Sequence, residues 1–176
     1  MSYITTYTGK HFDPMKPESD KIDIRDIAHA LSLTCRGNGH VKTFFSVAQH
    51  CINCAMEAEA RELSSRVIRA CLLHDAGEAY MSDVPRPIKP FMPEYLRIEE
   101  QLLEVVYTKF LGTPLDEAEK KLVKEIDDDM LYYDLRELLN ETSEREAPKL
   151  LINLDYQVMS FEKVENTYLR LFEKWK

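Results

Sequence analysis

His74 and Asp75 stand side by side at the end of the apolar run Cys71-Leu72-Leu73. This pair constrains the fold more than any other feature of the chain. Polar charge is not buried bare; it is hydrogen-bonded, paired, or bound to a metal. His50, in Ser46-Val47-Ala48-Gln49-His50, and Asp127, in Leu122-Val123-Lys124-Glu125-Ile126-Asp127, supply the rest of a mixed nitrogen and oxygen donor set. Such a set suits Mn, Fe, Co, Ni or Zn better than Ca. The three segments are far apart in the chain, so only a fold that packs them together can assemble the site.

The surrounding pattern is helical almost throughout. Residues 1–22 mix polar and aromatic side chains with Gly9, Pro14 and Pro17, and are expected to form a short extended arm carrying a small hairpin. Asp23 is a good N-cap for a first helix through Ile24-Arg25-Asp26-Ile27-Ala28-His29-Ala30-Leu31. The two glycines in Arg36-Gly37-Asn38-Gly39-His40 predict a loop. Ser46 and Gln49 have the spacing of a capping box, which places His50 in the first turns of a second helix. A third helix follows Ser64 and ends near His74-Asp75. Three prolines in Asp83-Val84-Pro85-Arg86-Pro87-Ile88-Lys89-Pro90 exclude regular helix there. Further helices are expected over about 93–111, 115–140 and 160–175. With no repeat and no linker, the expectation is an all-α, single-domain orthogonal bundle over 23–176, with the arm at 1–22.

Each candidate residue also has a plainer reading. A His-Asp dyad alone can be a hydrogen-bonded helix terminus, and Asp127-Asp128-Asp129 alone can be a solvated acidic patch. The helix face separates the three aspartates. Leu122, Val123, Ile126, Met130 and Tyr133 mark an apolar stripe, and Asp127 follows Val123 by four residues, so it points inward. Asp128 and Asp129 fall toward solvent on this pattern. Cys51 and Cys54 form a CxxC without a second pair, so core packing is the expected role, with Cys54 on the His50 face. His29 reads as a buried, hydrogen-bonded histidine and His11 as inert. His40, after the glycine loop and before the His50 helix, reads either as substrate-binding or as a solvated loop residue. Glu78 lies three residues beyond Asp75 and four beyond His74, placed to act as a general acid or base.

Hydrophobic content of 44% and charged content of 31% fit one globular core. Five glycines argue against a glycine-rich phosphate loop. A net charge of −8 argues against duplex nucleic acid as a partner but not against a small anion held by local cations. No apolar run approaches a membrane span, and Met1-Ser2-Tyr3-Ile4-Thr5-Thr6-Tyr7 lacks the features of a signal peptide. Four cysteines then suggest reduced thiols and a cytoplasmic location. Phe161, Tyr168, Leu171, Phe172 and Trp175 suit either a homodimer interface or the closing of the core.

Taken together, His50, His74-Asp75 and Asp127 resemble the H…HD…D signature of HD-domain metal-dependent phosphohydrolases. Ser46-Val47-Ala48-Gln49-His50 resembles the S-V-[AS]-[EQ]-H segment of the 5'-deoxynucleotidase-like branch. His74-Asp75-Ala76-Gly77-Glu78-Ala79-Tyr80 with Ser82-Asp83-Val84-Pro85-Arg86-Pro87-Ile88-Lys89 resembles its H-D-A-x-E-x-x-x-x-D-[ILV]-P-x-P-[ILV]-K block. Tyr7 to Asp13, Asp26 to Ser32 and Cys35 to His40 resemble the leader of a bacterial and phage subgroup, so the likeness spans roughly residues 3–135. The resemblance implies an HD-type helical fold, one divalent ion (Mn, Co, Fe, Ni, Zn or Mg) on His50, His74, Asp75 and Asp127, and hydrolysis of phosphate esters. It implies a catalytic carboxylate at Glu78 with Asp83 as the neighbouring acid, and a phosphate-holding arginine at Arg36. The deoxynucleotidases have an aromatic residue directly after that arginine, where this chain has Gly37.

The implied substrate is a (deoxy)nucleoside 5'-monophosphate. Arg36, Lys89, His40 and Arg86 are the candidates for neutralising its phosphate. Two alternatives stand beside this reading. One is another HD-type hydrolase, acting on a cyclic or polyphosphorylated nucleotide. The other is a non-catalytic, metal-stabilised binding protein.

Overall fold

Capping chemistry sets the helix boundaries, and it is local enough to be legible in sequence. The computed structural model describes residues 3–176. Met1 and Ser2, where the expected arm begins, lie outside the described residues. Helix α1, Ile24–Leu33, starts on Asp23, whose carboxylate accepts the Arg25 N–H. Helix α2, Val47–Ala60, starts on a reciprocal box: Ser46 Oγ accepts the Gln49 N–H at 3.2 Å and Gln49 Oε1 accepts the Ser46 N–H at 3.0 Å. Helix α3, Ser65–Leu73, is capped by Ser64. A single turn, α4, covers Glu78–Met81. Helix α5, Pro93–Leu111, begins on its proline and ends at Gly112, whose φ of 89° suits the residue without a Cβ. Helix α6, Glu117–Leu139, has a second capping box on Asp116 and Glu119, and α7, Phe161–Lys174, starts on Ser160. The proline-rich stretch after α4 holds only a 3-10 turn, at Lys89–Phe91.

The chain is mostly helical, with a two-stranded antiparallel hairpin, β1 Ile4–Thr5 and β2 His11–Phe12, as the sheet among the described residues. Helix α2 is the axis of the bundle. Ten of its fourteen residues are buried, and it touches α1, α3, α6 and α7. A helix buried on most of its surface belongs in the middle of a domain, and Ala48, Ala55 and Ala58 let its neighbours come close. His50 lies on the buried part of this helix and is fully enclosed. Among the described residues no helix is long and apolar enough to cross a membrane.

Tertiary packing modifies several of the sequence expectations. The N-terminal segment is held against the helices rather than extended away from them: Phe12 is fully buried with its ring 4.3 Å from that of Tyr80, Ile22 is fully buried, and Asp26 accepts the backbone N–H of Thr8 at 2.6 Å. Asp129 does not face solvent. It is buried between Arg61, at 2.9 Å, and Arg145, at 3.2 Å. Partners from other segments make that burial tolerable, and a single-helix pattern cannot register them. Tyr168, Leu171, Phe172 and Trp175 close the core of their own chain. His29 is half-buried, stacked on Tyr7 at 3.7 Å and hydrogen-bonded to Glu165 at 3.0 Å; His11 stacks on Tyr3 at the surface.

The segment between α6 and α7 has no regular structure but is tied down. Fully buried Glu57 accepts the backbone N–H groups of Leu151 and Ile152, and Tyr133 donates to the Pro148 carbonyl. This strap brings Tyr156 over the end of α6.

Candidate metal centre

Four side chains from three helices converge at one end of α2. The capping box fixes the first turn of α2, and with it His50. Its Nδ1 lies 2.8 Å from Asp134 Oδ2. A carboxylate only accepts, so Nδ1 carries a proton. Nε2 also faces a carboxylate, Asp127 Oδ1 at 3.2 Å, and offers its lone pair to an ion that displaces the proton between them. His74 caps the C-terminus of α3, and its Nδ1 donates to the Cys71 carbonyl at 2.7 Å. Its Nε2 is buried without a hydrogen-bond partner. This arrangement, one ring nitrogen held and the other offered, is how histidine is prepared for a metal.

The offered atoms lie close together. Asp127 Oδ1 is 3.2 Å from His50 Nε2 and 3.8 Å from His74 Nε2, and Asp75 Oδ2 is 3.4 Å from His74 Nε2. Two donors bound at about 2.1 Å to a common ion lie roughly 3.0–3.4 Å apart at octahedral to tetrahedral angles. Two of the separations fall within that range and the third slightly above it, so the residues fit a divalent ion. Two buried thiols border the same space. His50, Cys54 and His74 offer donor atoms within 4.8 Å of one another, as do Cys51, His74 and Asp75.

The electrostatics agree with the donor geometry. Burial and the Arg36 guanidinium push His50 toward its neutral form. The Cys54 sulfur and the hydrogen-bonded carboxylates of Asp127 and Asp134 outweigh them and raise its proton affinity well above the usual histidine range. His74 is raised too, against its own burial, chiefly by Asp75. Burial opposes charge on Asp127, yet the two imidazoles hold it well below the usual carboxylate range. A site that draws protons onto two buried imidazoles carries a strong negative potential, which a dication would neutralise.

Glu78 behaves in the opposite way. It is buried, its Oε2 has no hydrogen-bond partner, and burial together with Asp75 and Asp83 pushes its carboxyl up to about 9. It is neutral at physiological pH and can donate a proton.

Two cavities meet at the metal-ligand cluster. One, of about 570 Å³, is lined by Arg36, His40, Glu78, Asp83, Arg86 and Lys89, with Asp75 and Asp127 on its wall. It brings together all the residues expected from sequence to bind or turn over a phosphate. The other, of about 480 Å³, shares Asp75, Glu78, Lys89 and Asp127 and is bounded by Leu103, Tyr107, Leu115 and Val123. Arg36 reaches Asp134 at 3.2 Å and Asp75 at 3.7 Å. Arg86 is half-exposed and bridges Asp127, at 2.9 Å, and Asp128, at 3.1 Å. Lys89 is paired with Glu99 at 3.0 Å, and His40 is exposed on the rim of the cavity.

The sequence reading missed Asp134. This buried carboxylate takes hydrogen bonds from His50, Arg36 and Tyr156 (the last at 3.0 Å). The signal was present, since Asp134 follows Asp127 by seven residues and so shares its helix face two turns on. What gave it a role was Tyr156, brought over by the strap, and that is invisible in local sequence.

Over 124 residues the chain is 40% identical to the uncharacterized protein YfdR of Escherichia coli (strain K12), covering 68% of this chain and 67% of that protein. The chain belongs to the YfdR family. An uncharacterized protein of Rhodobacter capsulatus is 32% identical over 127 residues, covering 68% of this chain and 64% of that protein. No protein-family model matches the chain.

Proposed function

We propose that the chain is a metal-dependent phosphohydrolase of the HD-domain type, acting as a phosphomonoesterase on (deoxy)nucleoside 5'-monophosphates. The observation that carries this reading is the unpartnered, buried Nε2 of His74 beside His50, Asp75 and Asp127, the two aspartates lining a cavity that also holds Glu78 and several cations. His50, His74, Asp75 and Asp127 would hold the ion. A bound divalent ion supplies Lewis acidity toward a phosphate oxygen and lowers the pKa of water.

The protein's own groups account for the rest. Arg36, Arg86 and Lys89 line the cavity, where they offset phosphate charge, and His40 at the rim is placed to meet the far end of the substrate. Glu78, neutral at working pH, donates its proton to the oxygen of the departing nucleoside. Burial keeps it neutral, and the charges of Asp75 and then Asp83 beside it disfavour ionisation further. The larger cavity, about 570 Å³, lies within the usual size of small-ligand sites.

The test is a panel of nucleoside monophosphates, cyclic and polyphosphorylated nucleotides and generic phosphoesters, assayed with Mn, Co and Mg. Release of phosphate from 5'-monophosphates is expected, with Asp75→Ala and Glu78→Ala each losing most of it. Full activity in either variant overturns the assignment. Turnover confined to cyclic or polyphosphorylated nucleotides moves the chain to another class of HD hydrolase. Metal uptake with no turnover at all leaves a metal-stabilised binding protein.

A further inference from the structure

Cys54 follows His50 by one helical turn on the buried face of α2, and its side chain is 1% exposed. Its Sγ lies 3.5 Å from His50 Nε2, the nitrogen that also faces Asp127. A sulfur at about 2.3 Å and an imidazole nitrogen at about 2.05 Å from one ion stand roughly 3.6 Å apart at the tetrahedral angle and about 3.1 Å apart at a right angle. The observed separation lies between them. The unpartnered Nε2 of His74, on a side chain nine-tenths buried, completes a triangle with His50 and Cys54 whose donor atoms all lie within 4.8 Å of one another. Residues four apart on a helix chelate one ion without distorting the backbone, because successive turns set their side chains one above the other.

We propose that Cys54 is a further ligand of the metal centre, making the shell a mixed sulfur, nitrogen and oxygen set that selects a thiophilic ion, Zn, Co or Fe, over Mg and Mn. On binding, the sulfur–metal bond forms as the thiol proton passes to solvent, and no electron is transferred. With two histidines, two aspartates and one thiolate, the shell still leaves one octahedral position for substrate. Softness then sets the preference: a thiolate favours Zn and its neighbours, whereas a carboxylate and imidazole shell accepts Mn and Mg as well. Cys51, within 4.8 Å of His74 and Asp75, lies three residues earlier and is the internal control.

The inference rests on the metal-binding part of the proposed function, not on hydrolysis, and its readouts are spectroscopic. X-ray absorption at the zinc edge of the wild-type protein is expected to show one sulfur scatterer at about 2.3 Å beside nitrogen and oxygen at about 2.0–2.1 Å. Cobalt titration is expected to give a near-ultraviolet thiolate-to-metal band that Cys54→Ala abolishes and Cys51→Ala retains. Cys54→Ala is also expected to weaken zinc about tenfold or more while changing manganese by less than about threefold. A zinc shell of nitrogen and oxygen alone overturns the proposal, as does a cobalt band that survives Cys54→Ala or vanishes only with Cys51→Ala. The wild-type absorption measurement decides even if Cys54→Ala does not fold. A sulfur in the shell of a protein without phosphatase activity upholds the ligand and fails only the hydrolase reading; an all-nitrogen-and-oxygen shell in an active enzyme does the reverse.

Discussion

Glu78→Gln should make the metal-free protein less sensitive to alkaline pH. In the folded chain the carboxyl is held near 9 by burial and by Asp75 and Asp83, against an ordinary value of 4.5. Between those values the folded chain keeps one proton that the unfolded chain has released. Folding therefore takes up a proton, and stability falls as pH rises, by about 1.4 kcal/mol per unit. From about pH 5 to about pH 8 the full effect is roughly 4 kcal/mol, and sharing of the proton among neighbouring carboxylates lowers it to ~2–4 kcal/mol. Glutamine keeps the shape and removes the titration. His50 and His74, also raised in the folded state, stabilise it fully below about pH 6.5 and lose that contribution as pH climbs through their folded values. They act equally in both proteins, so the difference between wild type and variant isolates Glu78. The assay is urea unfolding of chelator-treated protein, followed by far-ultraviolet circular dichroism at four pH values. Glu78→Gln should gain on the wild type steadily from acid to alkaline pH. A gap that stays constant within about 0.5 kcal/mol would show that Glu78 is not a neutral buried acid, and the proton-donor role would fall with it.

Three other outcomes follow from the same contacts. Asp134→Asn replaces the carboxylate that fixes the His50 tautomer, at 2.8 Å, by a neutral amide whose NH2 can face Nδ1 instead, and should weaken metal binding about 10–100-fold by calorimetry while the helical signal persists. Arg86→Ala, at a half-exposed side chain, should change unfolding free energy by less than about 1 kcal/mol yet raise KM for a phosphomonoester at low salt; an unchanged KM would remove Arg86 from the site. Phe12→Ala empties a fully buried position against Tyr80 and should cost about 3–5 kcal/mol in denaturant unfolding, whereas a value under about 1 kcal/mol would mean that the N-terminal segment is not part of the core.

The sequence by itself determined where five of the helices begin. Asp23, Ser46 with Gln49, Ser64, Asp116 with Glu119, and Ser160 each cap the helix that follows, because a cap is a contact between residues two or three apart. The phase of α6 also pointed Asp127 inward. Only the tertiary structure decided which buried charges have partners. Asp129 is held by Arg61 and Arg145, Asp134 by His50, Arg36 and Tyr156, and Glu57 by the backbone of Leu151 and Ile152. It also decided that Cys54 faces His50 Nε2 closely enough to join the donor set, and that Glu78 is enclosed without a partner for Oε2. Capping and helical phase depend on neighbours within about one turn and so are written locally. The energy of a buried charge depends on groups that only the packed chain brings within reach.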